Sequence, residues 1–250
     1  MGNPASYHNV FWYAAILVVI ILILWIVAVR DPEHSCLQGG VDPDAPKPKM
    51  SEGFKSLPCW AGLIAFAGFA LGTAMIQNLS TSFFSETMGM DRMSANGALN
   101  IANIAVFVGS VGVGILLNKI VDFTKRMILL IASSIVLAVC FALTYTISID
   151  TLTPWLIAFG LFNGVVPPIY FTMVADIAPR PELASVAATL LTCGQALGGG
   201  LCFSFVGSAI VAAGWGAGTF VMIAAGVVLV LGSVFLFILM RNRANKVEQA

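Results

Sequence analysis

Long apolar runs separated by short polar links set the pattern of the chain. Seven runs fall at about residues 10–29, 60–79, 94–117, 127–147, 153–175, 184–213 and 217–240, and none contains Asp, Glu, Lys, Arg or His. A helix needs about 20 apolar residues to cross the hydrocarbon core, so each run predicts a transmembrane helix. One link differs from the others. Residues 30–59, RDPEHSCLQGGVDPDAPKPKMSEGFKSLPC, carry five prolines and mixed charge, which predicts a flexible linker.

Composition agrees with this pattern. The 250 residues are 59% hydrophobic and 10% charged, where soluble domains carry roughly 25% charged residues. Net charge is zero, so nothing favours nucleic acid. The five cysteines form no CxxC pair, and three of them sit inside apolar runs as small packing residues. Neither a disulfide framework, a metal site nor a cofactor is expected.

The distribution of charge predicts orientation. With the amino terminus outside, the inner connections are 30–59, 118–126, 176–183 and the tail from 241. They hold eleven of the twelve basic residues, leaving only Arg92 outside. The positive-inside rule therefore predicts seven helices, amino terminus out and carboxyl terminus in the cytoplasm. No Lys or Arg precedes Arg30, so the first run reads as an anchor with an exported tail rather than a cleaved signal.

Polar amides sort by helix. Gln77 and Asn78 lie in or beside the second run, Asn96, Asn100 and Asn103 in the third, Asn163 in the fifth and Gln195 in the sixth; the first, fourth and seventh hold none. An uncompensated amide in hydrocarbon costs several kcal/mol, so amide-free helices can face lipid and the others must face protein or water. Asn96, Asn100 and Asn103 fall within about 60° of one another on a helix, with Ser110 and Gly114 extending the stripe. A helix–helix seam and a cavity wall are both compatible with it. After the first run the chain forms two triplets, roughly 60–147 and 153–240, which enter the membrane from opposite sides as an inverted repeat.

Small-residue spacing predicts close helix contacts. Gly68 and Gly72, Gly160 and Gly164, and Gly194 and Gly198 each form GxxxG, all on amide-bearing helices. The fifth run also carries Pro167 and Pro168, which predict a kink or a local loss of backbone hydrogen bonds. The freed carbonyls would be satisfied by neighbouring helices, hydroxyl side chains or water.

Two stretches carry a family resemblance. GILLNKIVDFTKRM places Gly114, Lys119, Asp122, Lys125 and Arg126 around the third link. APRPELASVAATLLTCGQALGG places Arg180 and Glu182 at a membrane edge just after Asp176. Together with the helix pattern they resemble the major facilitator superfamily, in particular its carboxyl-terminal half plus the preceding helix. The two-bundle architecture is that family's. In the first stretch Asn118 stands where the family usually has an acid.

The resemblance implies an all-α polytopic protein with residues 1–29 as an outside tail and first transmembrane helix. Residues 30–59 would be a cytoplasmic linker, 60–240 a six-helix bundle and 241–250 a cytoplasmic tail. It implies a secondary active transporter in the cytoplasmic membrane, moving a small solute by alternating access. A family member holds its solute between two bundles, so a partner six-helix amino-terminal bundle is expected. A half that does not transport by itself remains an alternative. Candidate pathway residues are Gln77, Asn78, Asn100, Asn103, Asn163 and Gln195, whose amides both donate and accept. Asp176, Arg180 and Glu182 are candidates for loop gating. The apolar runs hold no titratable group, so any coupling carboxylate would lie elsewhere, and neutral or weakly polar solutes fit this half. A membrane-embedded enzyme is disfavoured, because no GxSxG, HExxH, Walker loop or intramembrane dyad occurs.

Overall fold

The computed structural model describes residues 5–28 and 49–248. The chain divides into two units, one ending at Lys47 and the other running from Pro48. The described residues of the first form one helix, α1 (Ala5–Ala28), 24 residues long with an apolar stretch at Ala15–Leu24. The linker expected at 30–59 lies outside the described residues up to position 48. Its remainder is helical: α2 (Met50–Lys55) leads directly into α3.

The second unit is a bundle built from α3 (Leu57–Met88), α4 (Arg92–Leu117), α5 (Phe123–Leu143), α6 (Ile149–Thr172), α7 (Val174–Ile177), α8 (Ala184–Leu201), α9 (Gly207–Ala213) and α10 (Trp215–Glu248). A 3-10 turn at Pro181–Leu183 precedes α8, and a π turn at Cys202–Val206 joins α8 to α9. Among the described residues there is no strand, and six helical spans are long and apolar enough to cross a membrane. α3 and α10 overrun their apolar runs at both ends, α4 starts before its run, and α5 and α6 start before theirs but stop a few residues short of their ends. Polar flanking residues still form helix once a nucleus exists, so hydropathy marks the lipid-buried part and not the helix ends.

Local signals explain the boundaries. Pro58 sits in the first turn of α3, where its missing N–H costs nothing. Gly89 ends α3 at φ 69°, and the amides of Gly89 and Met90 both return to the Phe84 carbonyl. Asp91 caps α4 by accepting from the amides of Met93 and Ser94, and Asp122 caps α5 in the same way through Thr124 and Lys125. Ser148 and Thr151 form a capping box on α6.

Close packing follows the small residues. A Cβ on Gly160 would meet the Ala102 carbonyl of α4, and one on Gly164 the Val106 carbonyl. Gly194 and Gly198 of α8 lie equally close to the Leu63 and Ala67 carbonyls of α3. Gly68 abuts the Ala225 carbonyl of α10, and Gly72 is covered by the Phe141 ring of α5. All six GxxxG glycines thus sit where the neighbour leaves no room for a side chain. The principal partnerships are α4 with α6, α3 with α8, and α10 with both α3 and α5.

The spans are unequally covered. The α3 span is 67% buried and the α6 span 50%, whereas the α4 span is 28% buried and the span formed by residues 181–213 only 17%. Buried hydroxyls tie the amide-free helices to α6. The Tyr170 hydroxyl lies 2.8 Å from Ser233 Oγ, and Ser233 donates to the Leu229 carbonyl.

Candidate functional site

A polar row crosses the interface of α3 with α4 and α6. Thr73, Gln77 and Thr81 are spaced four apart on α3, which puts them on one helix face. Each meets an asparagine of another helix. Thr73 Oγ1 donates to Asn163 Oδ1 at 2.6 Å, Gln77 Nε2 to Asn103 Oδ1 at 3.0 Å, and Thr81 Oγ1 to Asn96 Oδ1 at 3.3 Å. Asn163 is buried, Gln77 and Thr81 are half-buried, and Asn103 and Asn96 are exposed. The asparagine stripe of α4 is therefore a seam for Asn96 and Asn103, with one edge open. Thr73 and Thr81 escaped the sequence reading because hydroxyls are common in apolar spans. Their four-residue register with Gln77 was the signal that could have found them.

The remaining amides are placed differently. Asn78 turns back on its own helix, donating to the Ala74 carbonyl at 2.7 Å. Asn100 and Gln195 are exposed and make no hydrogen bond among the described residues. Bonds within the row also leave capacity unspent: Gln77 uses its amide nitrogen and Asn103 its oxygen, so one oxygen and one nitrogen stay available there. What the row offers chemically is donors and acceptors without charge.

The prolines of α6 lie inside a continuous helix. Pro168 has no N–H for the Gly164 carbonyl four residues back, and Ser110 Oγ of α4 donates to that carbonyl at 3.0 Å. This contact is possible because Gly164 brings the two backbones together. The stripe residue Ser110 thus replaces a backbone donor.

At the other end of the bundle, Arg126 Nε donates to the Ile120 carbonyl at 2.7 Å, closing the α4–α5 turn that Asp122 caps. Lys119 and Lys125 are exposed, and a Cβ on Gly114 would meet nothing. Asp176 lines a pocket of 530 Å³ with Phe123, Pro181, Met240 and Arg243. Arg243 Nη1 donates to the Ala178 carbonyl at 2.7 Å, and its Nη2 donates to that of Pro179. Arg180 pairs with Glu52 of α2 at 3.6 Å, and the exposed Glu182 pairs with neither it nor Arg243 among the described residues. Glu52 and Arg243 were not singled out from sequence, because each is an ordinary surface charge until the turn is placed beside it.

A family model described as Major Facilitator Superfamily matches residues 1–203. No curated protein matches the chain.

Proposed function

Because the chain belongs to the Major Facilitator Superfamily, we propose that it is a secondary active transporter that moves a small, uncharged or zwitterionic solute by alternating access. Family and helices together make it an all-α, multi-pass membrane transport protein. In this proposal α1 is a seventh spanning helix, the amino terminus is outside and the carboxyl terminus lies in the cytoplasm. The polypeptide is no enzyme, and its home is the cell membrane.

One observation carries the mechanism: amides at Asn78, Asn100, Asn103 and Gln195 are exposed within apolar spans. Left against hydrocarbon each would cost about several kcal/mol, so water or protein must cover them. Two of them lie on α4, and one on α8, whose span is the least buried of the six. We read these helices as bordering a second six-helix bundle, on this polypeptide or another, with the solute held between. The row from Thr73 to Thr81, with Asn163 behind it, forms this half's wall of the pathway. Support for an inverted repeat comes from the partnerships: the second helix of each triplet, α4 or α8, packs on the first helix of the other, α6 or α3.

The α6 prolines, with one freed carbonyl held by a side chain, suit a helix that flexes as access alternates. The turn from Asp176 to Glu182 is gripped by Arg243 and by the Arg180–Glu52 pair, and would open and close at the cytoplasmic end.

Substituted cysteines test the reading. With Cys36 and Cys193 replaced by Ser, cysteines at 78, 100, 103 and 195 are introduced one at a time into the full chain in its own membranes. A membrane-impermeant thiosulfonate should modify at least Cys substitutions at 100 and 103, from both sides of the membrane. Reaction only with a lipid-partitioning maleimide at all four positions would mean a lipid-facing surface and would sink the pathway.

A further inference from the structure

A second polar site lies where α3 ends and α4 begins. Thr81, Ser82, Ser85, Glu86 and Arg92 line a pocket of 340 Å³ there. Its two charges are opposite, yet they form no ion pair, and Arg92 makes no hydrogen bond among the described residues. Glu86 is held from behind. Its Oε2 accepts from Trp215 Nε1 at 3.1 Å, and the Trp215 ring packs on Phe83 and Tyr145 with centroids 5.2 Å and 5.0 Å away. That arrangement fixes one carboxylate oxygen and leaves the other free. Ser85 Oγ in the same wall is buried and has no partner. Thr81 belongs both to this pocket and to the polar row, so the two sites are continuous.

We propose that this pocket binds a small zwitterion, a molecule carrying an ammonium and a carboxylate or phosphate group. Arg92 receives the anionic end, since a guanidinium presents a planar fork of donors that matches an oxyanion. The anchored Glu86 receives the ammonium, and Thr81 and Ser82 offer hydroxyls between them. Opposite charges that line one cavity without pairing fit neither a lone cation nor a lone anion, because one of the two would repel it. An uncharged polyol would use neither charge. Both charged residues are exposed, so each alone contributes little, and discrimination comes from engaging the two together.

Binding can be measured whether or not the chain transports; only the site's service as the mouth of the pathway rests on the transporter reading above. The full chain is placed in nanodiscs of phosphatidylglycerol near neutral pH and titrated with three probes of similar size. L-alanine is the zwitterion, L-alaninamide the cation and N-acetyl-L-alanine the anion. Alanine should bind about tenfold more tightly than either analogue. E86Q and R92Q should each weaken alanine by about tenfold, with E86Q sparing N-acetylalanine and R92Q sparing alaninamide. Both changes are at exposed positions, and unchanged melting temperatures would establish that the variants fold. A lipid headgroup is the other source of this chemistry. Displacement of alanine by added phosphatidylethanolamine, absent in R92Q, would identify the headgroup as an occupant of the same site. Alanine binding no tighter than both analogues, or unchanged in both variants, overturns the proposal.

Discussion

Replacing Ser110 by alanine tests how α6 tolerates its proline pair. Pro168 removes the amide that would serve the Gly164 carbonyl, and the Ser110 hydroxyl at 3.0 Å supplies the substitute. Gly164 is buried between α4 and α6, where a Cβ would lie 2.9 Å from the Ser110 amide, so water has little room to take over. An interhelical hydrogen bond in a membrane contributes about 0.6 kcal/mol on average and up to about 1.7. Leaving a buried acceptor empty costs about 1–3 kcal/mol. The single variant should therefore lose about 1–2 kcal/mol. A second substitution separates this cause from ordinary packing loss. Pro168→Ala restores the amide, so Ser110→Ala made in that background should cost only about 0.5 kcal/mol, a coupling of about 1 kcal/mol. Unfolding by SDS in lipid–detergent micelles, followed by tryptophan fluorescence, measures all four corners of the cycle. Additivity within about 0.3 kcal/mol would refute the idea that the hydroxyl stands in for the missing amide.

Two further predictions carry their own controls. A Cβ on Gly198 would lie 2.3 Å from the Ala67 carbonyl and 2.6 Å from the Leu71 amide, whereas one on Gly199 or Gly200 meets nothing within 4 Å. Gly198→Ala should cost about 1–3 kcal/mol, while Gly199→Ala or Gly200→Ala should be neutral or gain up to about 1 kcal/mol from helix propensity; thermal melting in detergent ranks the three, and equal effects would contradict the packing. Hydrogen bonds from the Ser94 side chain and then its amide hold the Asp91 carboxyl below its usual 3.8. The cap is then in place above the ordinary carboxylate range and is lost as pH falls through the depressed value. Hydrogen exchange of amides 93–96, corrected for its intrinsic pH dependence, should rise in acid in the native chain, and Asp91→Asn should flatten that rise.

Much of the architecture was legible in order along the chain, for a simple reason. Lipid offers no hydrogen bonds, so a spanning segment without charge and about 20 residues long has helix as its available form. The same constraint made the amides informative: apolar spans bearing none, those of α5 and α10, and spans bearing several, those of α3 and α4, differ visibly in the primary sequence. The GxxxG glycines were legible too, since close backbone approach requires residues without side chains at one-turn spacing. What hydropathy could not mark was helix length beyond the lipid, so α2 and the extension of α10 past residue 240 emerged only with the caps and contacts in place.

The amino-acid sequence by itself marked the segments long and apolar enough to cross a membrane, which of them carry hydrogen-bonding groups, and where two backbones can touch. Only the tertiary structure decided which partner each group takes. Asn163 meets Thr73, Gln77 meets Asn103, and Ser110 serves the carbonyl that Pro168 abandons; Asn100 and Gln195 are left open. It also set Glu86 and Arg92 in one pocket and brought Arg243 to the turn at Ala178. The physical reason is range. Partition into lipid and helix formation depend on neighbours within a turn or two, whereas a hydrogen bond between helices depends on the rotation and depth of both, which the whole bundle's packing settles together.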